Sequence, residues 1–252
     1  MTISGSDTLI VGHRDKPLIY SSRSIAERRR RILHEARKLL AERGIEGFAV
    51  RELCRRAEVA QRTLYNAFQS KDRVIALAIR EAYEEVNQRF RYRTSAETLE
   101  GFLDRLTSVH ERNFRARNYT DAVTSLFFSG EVPDDIFGAL QAMGSLNLRV
   151  WLNKINEDGG LADWVLLEEL EANFINLQFA TTHDWSRGRI KDEDYLRRLC
   201  EGVLILAVGS TTGVTHDQAA AVLRRIRATG KLPDFPKPVF MPISAPAIGT
   251  TA

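Results

Sequence analysis

The chain has 252 residues, of which 44% are hydrophobic and 27% charged, an ordinary soluble globular balance that allows one large or two small cores. Its two cysteines, Cys54 and Cys200, offer no pairing pattern of a secreted disulfide scaffold. No apolar run approaches the ~18–20 residues of a membrane span and no apolar leader opens the chain, so a cytoplasmic protein without membrane contact is expected.

The net charge of +3 hides an asymmetry. Residues 23–73 carry 14 Lys/Arg against 7 Asp/Glu, a local balance of +7, whereas residues 74–252 carry 20 against 24, or −4. A positive potential confined to one segment suits a phosphate-binding surface. Five of the seven prolines lie after residue 232, and strand-type alternation is scarce, so the expected class is all-α.

Residues 1–22 are polar and read as a disordered N-terminal arm. Arg14 and Lys16, with Arg23 just beyond, would let the arm track DNA; a tail without fixed contact fits equally well. A first helix is predicted from Ser24, as N-cap, to Arg43, burying Ile32, Ala36, Leu39 and Leu40 and ending at Gly44. Val50, Leu53, Cys54 and Ala57 then fall at i, i+3, i+4 and i+7, the buried face of a two-turn helix. After a break at Glu58-Val59-Ala60 a second short helix turns Leu64, Ala67 and Phe68 inward and leaves a polar, basic outer face. Two such helices form a helix-turn-helix, whose second helix enters the major groove.

The string Thr63-Leu64-Tyr65-Asn66-Ala67-Phe68-Gln69-Ser70-Lys71-Asp72 closely resembles the T-L-Y-x-x-F-x-S-K-[ED] signature of the TetR family of transcriptional repressors. Val50-Arg51-Glu52-Leu53 and Ala57-Glu58-Val59 match as well, so the resemblance covers about residues 24–75. It implies a three-helix DNA-binding head at 23–72, a helical ligand-binding and dimerisation body at 73–230, and double-stranded operator DNA as partner. Phe48-Ala49 and Ala60 stand where the family usually has Ser or Thr caps, and Arg62 where a small residue is frequent. An arginine there can bond guanine O6 and N7 together. The expected base-edge contacts are Arg62, Gln61 and Asn66; the expected phosphate contacts are Tyr65, Thr63, Lys71 and Arg51.

Ser70 is placed to cap a fourth helix running from Lys71 to about Arg91, which in the family links head and body. Further helices are predicted at about 97–115, 122–128, 133–156 (as one helix), 163–185, 192–210 and 217–229, followed by a Pro-rich disordered tail at 231–252. The helices at 163–185 and 192–210 are apolar on more than one face, and in the family the corresponding pair joins a second subunit; the expected partner is a second copy of this chain.

The expected ligand is an unidentified small molecule among Phe102, Phe127, Phe128, Trp151 and Phe179, with His110 and Asn176 as polar groups; Gln178 is a further polar candidate. Neither His110-Glu111 nor His183-Asp184 has a second His three or four positions away for a zinc pair, and no nucleophile or phosphate-loop motif appears. No metal, cofactor or catalytic residue is therefore expected. A helical enzyme is the remote alternative, and an activator or a regulator controlled by a protein partner the nearer one.

Overall fold

The computed structural model describes residues 22–130 and 132–241, and among these it contains eleven α-helices and a single pair of very short strands. The head is built from α1 (Ser22–Arg43), α2 (Val50–Arg56), α3 (Gln61–Phe68) and the first turns of α4 (Lys71–Asn87). Its core is the one the apolar spacing dictates: Ile32, Ala36, Leu39 and Leu40 from α1 meet Leu53, Leu64, Phe68 and Val74. Helix α1 is already helical at Ser22, so Ser24 lies inside it and is not its N-cap. At its other end Gly44, with φ 66°, donates its N–H to Leu40 O at 2.9 Å. The N-termini of α2 and α3, at Ala49 and Ala60, have no side-chain cap. Helix α4 has one, because Ser70 Oγ accepts from the Arg73 N–H at 3.1 Å.

The turns on either side of α3 each hold a non-glycine residue at positive φ. Glu58 sits at 52° between α2 and α3. Gln69 sits at φ 70°, ψ −47° between α3 and α4, where the Ser70 N–H donates to Phe68 O at 2.9 Å and closes a γ-turn, a rare and strained form.

Helix α4 stops at Asn87, short of the expected Arg91, because Phe90–Arg91 (β1) pair antiparallel with Val239–Phe240 (β2). The tail is thus ordered up to Met241, contrary to the expectation of disorder from 231. Its prolines forbid helix but suit an extended chain. Leu232 and Phe235 pack on the core, and the Phe240 ring meets Phe90 edge-on at 5.5 Å. Of the tail, residues 242–252 lie outside the described residues, as does the arm at 1–21.

The body continues with α5 (Leu99–Glu111), a 3-10 turn (Arg112–Arg115), α6 (Arg117–Phe127), α7 (Asp134–Ser145), α8 (Arg149–Glu157), α9 (Leu167–Ser186), α10 (Asp192–Ser210) and α11 (Gly213–Thr229). The helix expected over 133–156 is two, with a turn at 146–148 in which Leu148 N–H reaches Ser145 O at 2.9 Å. The same apolar period runs on both sides of that turn, so the sequence reads as one helix. Gly144 lets α7 lie close on α9, since a Cβ there would stand 2.9 Å from Ile175 Cγ2. Helix α9 starts at Leu167, four residues later than expected, because 160–162 are tied to the end of α10 through Ala162 N–H to Ser210 O and Thr212 N–H to Gly160 O. Among the described residues no helix is long and apolar enough to cross a membrane.

Candidate DNA-reading face and body cavity

The outer face of α3 is set by its own anchor. Leu64 and Phe68 are fully buried, and this fixes the helix rotation so that Gln61, Arg62, Tyr65 and Asn66 are exposed, with Thr63 half-buried at the edge. Tyr65 is 43% exposed, unusual for a large ring and appropriate for one that awaits a partner. The side chains of Gln61, Arg62, Tyr65 and Asn66, and of Arg51 on α2, have no hydrogen-bond or ion-pair partner among the described residues. Lys71 lies with its ammonium 5.8 Å from the Phe48 ring.

Other arginines of the head are held internally. Arg31 donates to Ala57 O at 2.9 Å, and Arg29 stacks over Phe68 at 4.6 Å while donating to Ala67 O. Arg55 and Arg56 both donate to Glu52, and Arg56 also reaches Glu42 at 2.7 Å. The hydrogen bonds from Arg55 and Arg56 pull the Glu52 carboxyl down to about 2. These pairs are exposed to half-buried and add little stability, but they remove two cations from the set that DNA would meet.

Helix α4 runs without interruption from the reading head into the body. Arg37 of α1 pairs with Glu85 of α4 at 2.9 Å, Asn118 of α6 donates to Ala41 O at 3.3 Å, and the Tyr119 hydroxyl donates to Ile79 O at 3.1 Å. Head and body therefore share helices and hydrogen bonds; no linker divides them.

The body holds a partly open cavity of about 290 Å³ among α4, α5, the 3-10 turn, α6, α7 and α9. Phe102, Leu106, Val123, Met143 and Phe179 give it an apolar wall; His110, Arg112, Asn113, Asn147, Gln178 and Thr182 give it polar points. The polar points are tied to α10 through Tyr195, whose hydroxyl accepts from Asn113 Nδ2 at 2.9 Å, lies 2.6 Å from His110 Nδ1 and 2.9 Å from Thr182 Oγ1. Burial lowers the His110 pKa to about 4, against a hydrogen bond with Gln178 that favours the charged form, so the ring is neutral. Arg112 is different. Its guanidinium lies 4.5 Å over the Phe90 ring, its Nη1 is buried without a hydrogen-bond partner, and burial lowers its pKa.

On the outside of the body, the segment leading into α9 and the outer face of α10 leave large apolar side chains in solvent. Trp164 is 76% exposed, Leu166 60% and Ile205 48%, and together with Leu206 and Gly209 they shape a groove of about 280 Å³.

Residues 32–78 match the family model described as bacterial regulatory proteins, tetR family. The head is a TetR-family helix-turn-helix. No curated protein matches the chain. Among solved structures, RolR in complex with resorcinol is 17% identical, with a TM-score of 0.57, covering 85% of this chain and 99% of that one. A TetR-family regulator from Streptomyces coelicolor is 16% identical at a TM-score of 0.54, covering 81% and 89%. One from Rhodococcus sp. RHA1 is 18% identical at 0.53, covering 73% and 97%. At such identities the likeness is one of fold, and it extends the TetR architecture over the body, where the sequence carries no signature.

Within this TetR fold the residues expected at a ligand site separate into three groups. Phe102, His110 and Phe179 stand on the cavity wall. Trp151 and Phe127 lie one layer behind, stacked on Phe102 at 4.7 Å and on Phe179 at 3.9 Å. Phe128 and Asn176 are elsewhere. Phe128, just past the end of α6, is 51% exposed. Asn176 faces outward on α9, two residues from the inward Gln178, and residues two apart on a helix point about 200° apart. Arg112, Asn113 and Tyr195 were not foreseen. The first two sit in the 3-10 turn after α5, where a basic or polar residue reads as a solvated helix end.

Proposed function

We propose that this TetR-type regulator is a sequence-specific transcriptional repressor that binds an inverted-repeat operator as a homodimer and is released by a small molecule held in the body cavity. The observation that carries the reading is the face of α3, where four polar side chains are exposed and unpartnered while Leu64 and Phe68 anchor the helix from behind. Arg62, Gln61 and Asn66 read base edges in the major groove; Tyr65, Thr63, Lys71 and Arg51 hold phosphates and set the register. The division into a head at 23–72 and a body at 73–230, and a cytoplasmic location, belong to the same proposal.

The exposed Trp164 and Leu166 just before α9, with Ile205 on α10, support dimerisation, since apolar side chains of that size normally have a partner. A two-fold dimer would present two copies of α3 to half-sites about one helical turn apart or slightly more. The cavity supports a ligand, as does the likeness to a fold neighbour solved with resorcinol. Its wall includes Ala82 and Tyr83 of α4, the helix that begins directly after α3, so an occupant that shifts α4 would change the spacing of the two reading helices.

Selection of bound sequences from random DNA tests the reading. It should enrich an inverted repeat; enrichment of a single half-site or of no sequence would overturn it. Sedimentation should give twice the 28.5 kDa chain mass, and a monomer at micromolar concentration would remove the dimer.

A further inference from the structure

The cavity contains a charge without a counter-charge. Arg112 is the sole permanently charged residue in its lining among the described residues, and no Asp or Glu faces the space. Its guanidinium makes no hydrogen bond or ion pair with any described residue. The groups that act on it electrostatically are the phenols of Tyr92 and Tyr83, not carboxylates. The Tyr92 hydroxyl is itself buried without a partner. Arg105, two helical turns earlier, shows the contrast: it donates to Gly101 O at 2.8 Å and Thr94 O at 3.0 Å and is fully used by the fold. A buried donor of an arginine left bare is costly, and such groups are normally matched by an acceptor.

We propose that the ligand of this cavity is a compact monocarboxylic acid with an apolar or aromatic body, whose carboxylate accepts from Arg112. The inference rests on the reading of the cavity as the effector site and adds the ligand's chemical class. One arginine balances one negative charge, and a dianionic phosphate would be left half uncompensated. The remaining wall at Phe102, Leu106, Val123 and Phe179 takes apolar surface. The volume of about 290 Å³ has room for about ten water-sized groups, each filling about 30 Å³, which suits a single ring and its acid. Neutral His110, with Asn113 and Thr182, lies within the network that Tyr195 closes.

Calorimetric titration of the full chain with benzoate and phenylacetate, beside benzamide and benzyl alcohol as neutral counterparts, tests this. The acids should bind about tenfold or more tightly than the neutral molecules, a preference supplied by one charge-assisted pair. Arg112→Met should erase the preference while leaving neutral binding intact; Arg112→Lys, which keeps the charge but loses the fork, should retain part of it. Operator binding without ligand reports that each variant is folded, and if Arg112→Met is not, Arg112→Lys decides. Neutral molecules that bind as well as acids, or an Arg112→Met protein with undiminished acid preference, would overturn the ligand class and leave the effector site standing. Absence of binding by acids and neutral molecules alike would overturn both.

Discussion

Arg62 on α3 and Arg112 at the cavity each lack a protein partner, and the two ends of the molecule use that lack differently. Arg62 is exposed, so water solvates its guanidinium and the unpaired charge costs nothing until DNA arrives. Arg112 is half-buried, with Nη1 withdrawn from solvent entirely. A bare buried donor of this kind costs on the order of 1–3 kcal/mol. The head thus holds its binding groups ready at no expense to stability, while the body carries a deficit that a ligand would remove. The same contrast runs through their neighbours: Arg55 and Arg56 are tied up in surface pairs with Glu52, whereas His110, Asn113 and Thr182 form a closed buried network around Tyr195.

The largest effect expected from this contrast is a pH dependence that belongs to the cavity alone. His110 has a folded pKa of about 4 against an ordinary value of 6.5. The unfolded chain therefore takes up the proton first. The contribution is complete above 6.5, is lost as pH falls from 6.5 towards 4, and is level below that; a gap of this size corresponds to about 3 kcal/mol. Urea denaturation at pH 7 and at pH 4.5 should show the wild type losing more stability than His110→Asn, whose amide can still meet Tyr195. Equal losses would take His110 out of the buried network and weaken the distinction between the two ends.

Paired substitutions of the arginines come next. Arg62→Ala should lower operator affinity by about 5- to 150-fold for each half-site engaged, from the loss of about 1–3 kcal/mol at its base pair, with an unchanged melting temperature. Arg112→Met should do the reverse. Ligand-free operator binding stays the same, and stability holds or rises by about 1 kcal/mol, because a buried bare charge is replaced by an apolar stem. An Arg112→Met protein clearly less stable than wild type would mean that its stacking on Phe90 outweighs the unpaired charge.

The sequence made the head readable and the cavity only partly so, for a physical reason. Apolar spacing states which side of a helix is buried, and for α3 that is sufficient, because everything not buried there is the functional face. A cavity is a failure of packing between helices, and the period of one helix says nothing about it. Phe102 and Trp151 have the same period and the same burial, yet one touches the space and the other lies behind it. The turn at 146–148 escaped because the apolar period continues through it. Tail residues 231–241 escaped because proline in an extended strand and proline in a disordered tail look alike in composition.

The smallest effect lies in the head and concerns backbone, not charge. Glu58 holds φ at 52° in the turn between α2 and α3, with its side chain in solvent. A left-handed conformation costs a residue with a Cβ about 1 kcal/mol, and glycine escapes it while losing more freedom on folding. Glu58→Gly should therefore gain up to about 1 kcal/mol in urea denaturation. Glu58→Ala removes the same carboxylate without relieving the backbone, so the difference between the two variants isolates strain from charge. Both should bind the operator slightly more tightly, since each takes a negative group from beside the reading helix. If glycine is no more stable than alanine, the turn stores no strain, and the head's cost-free readiness would extend from its side chains to its backbone.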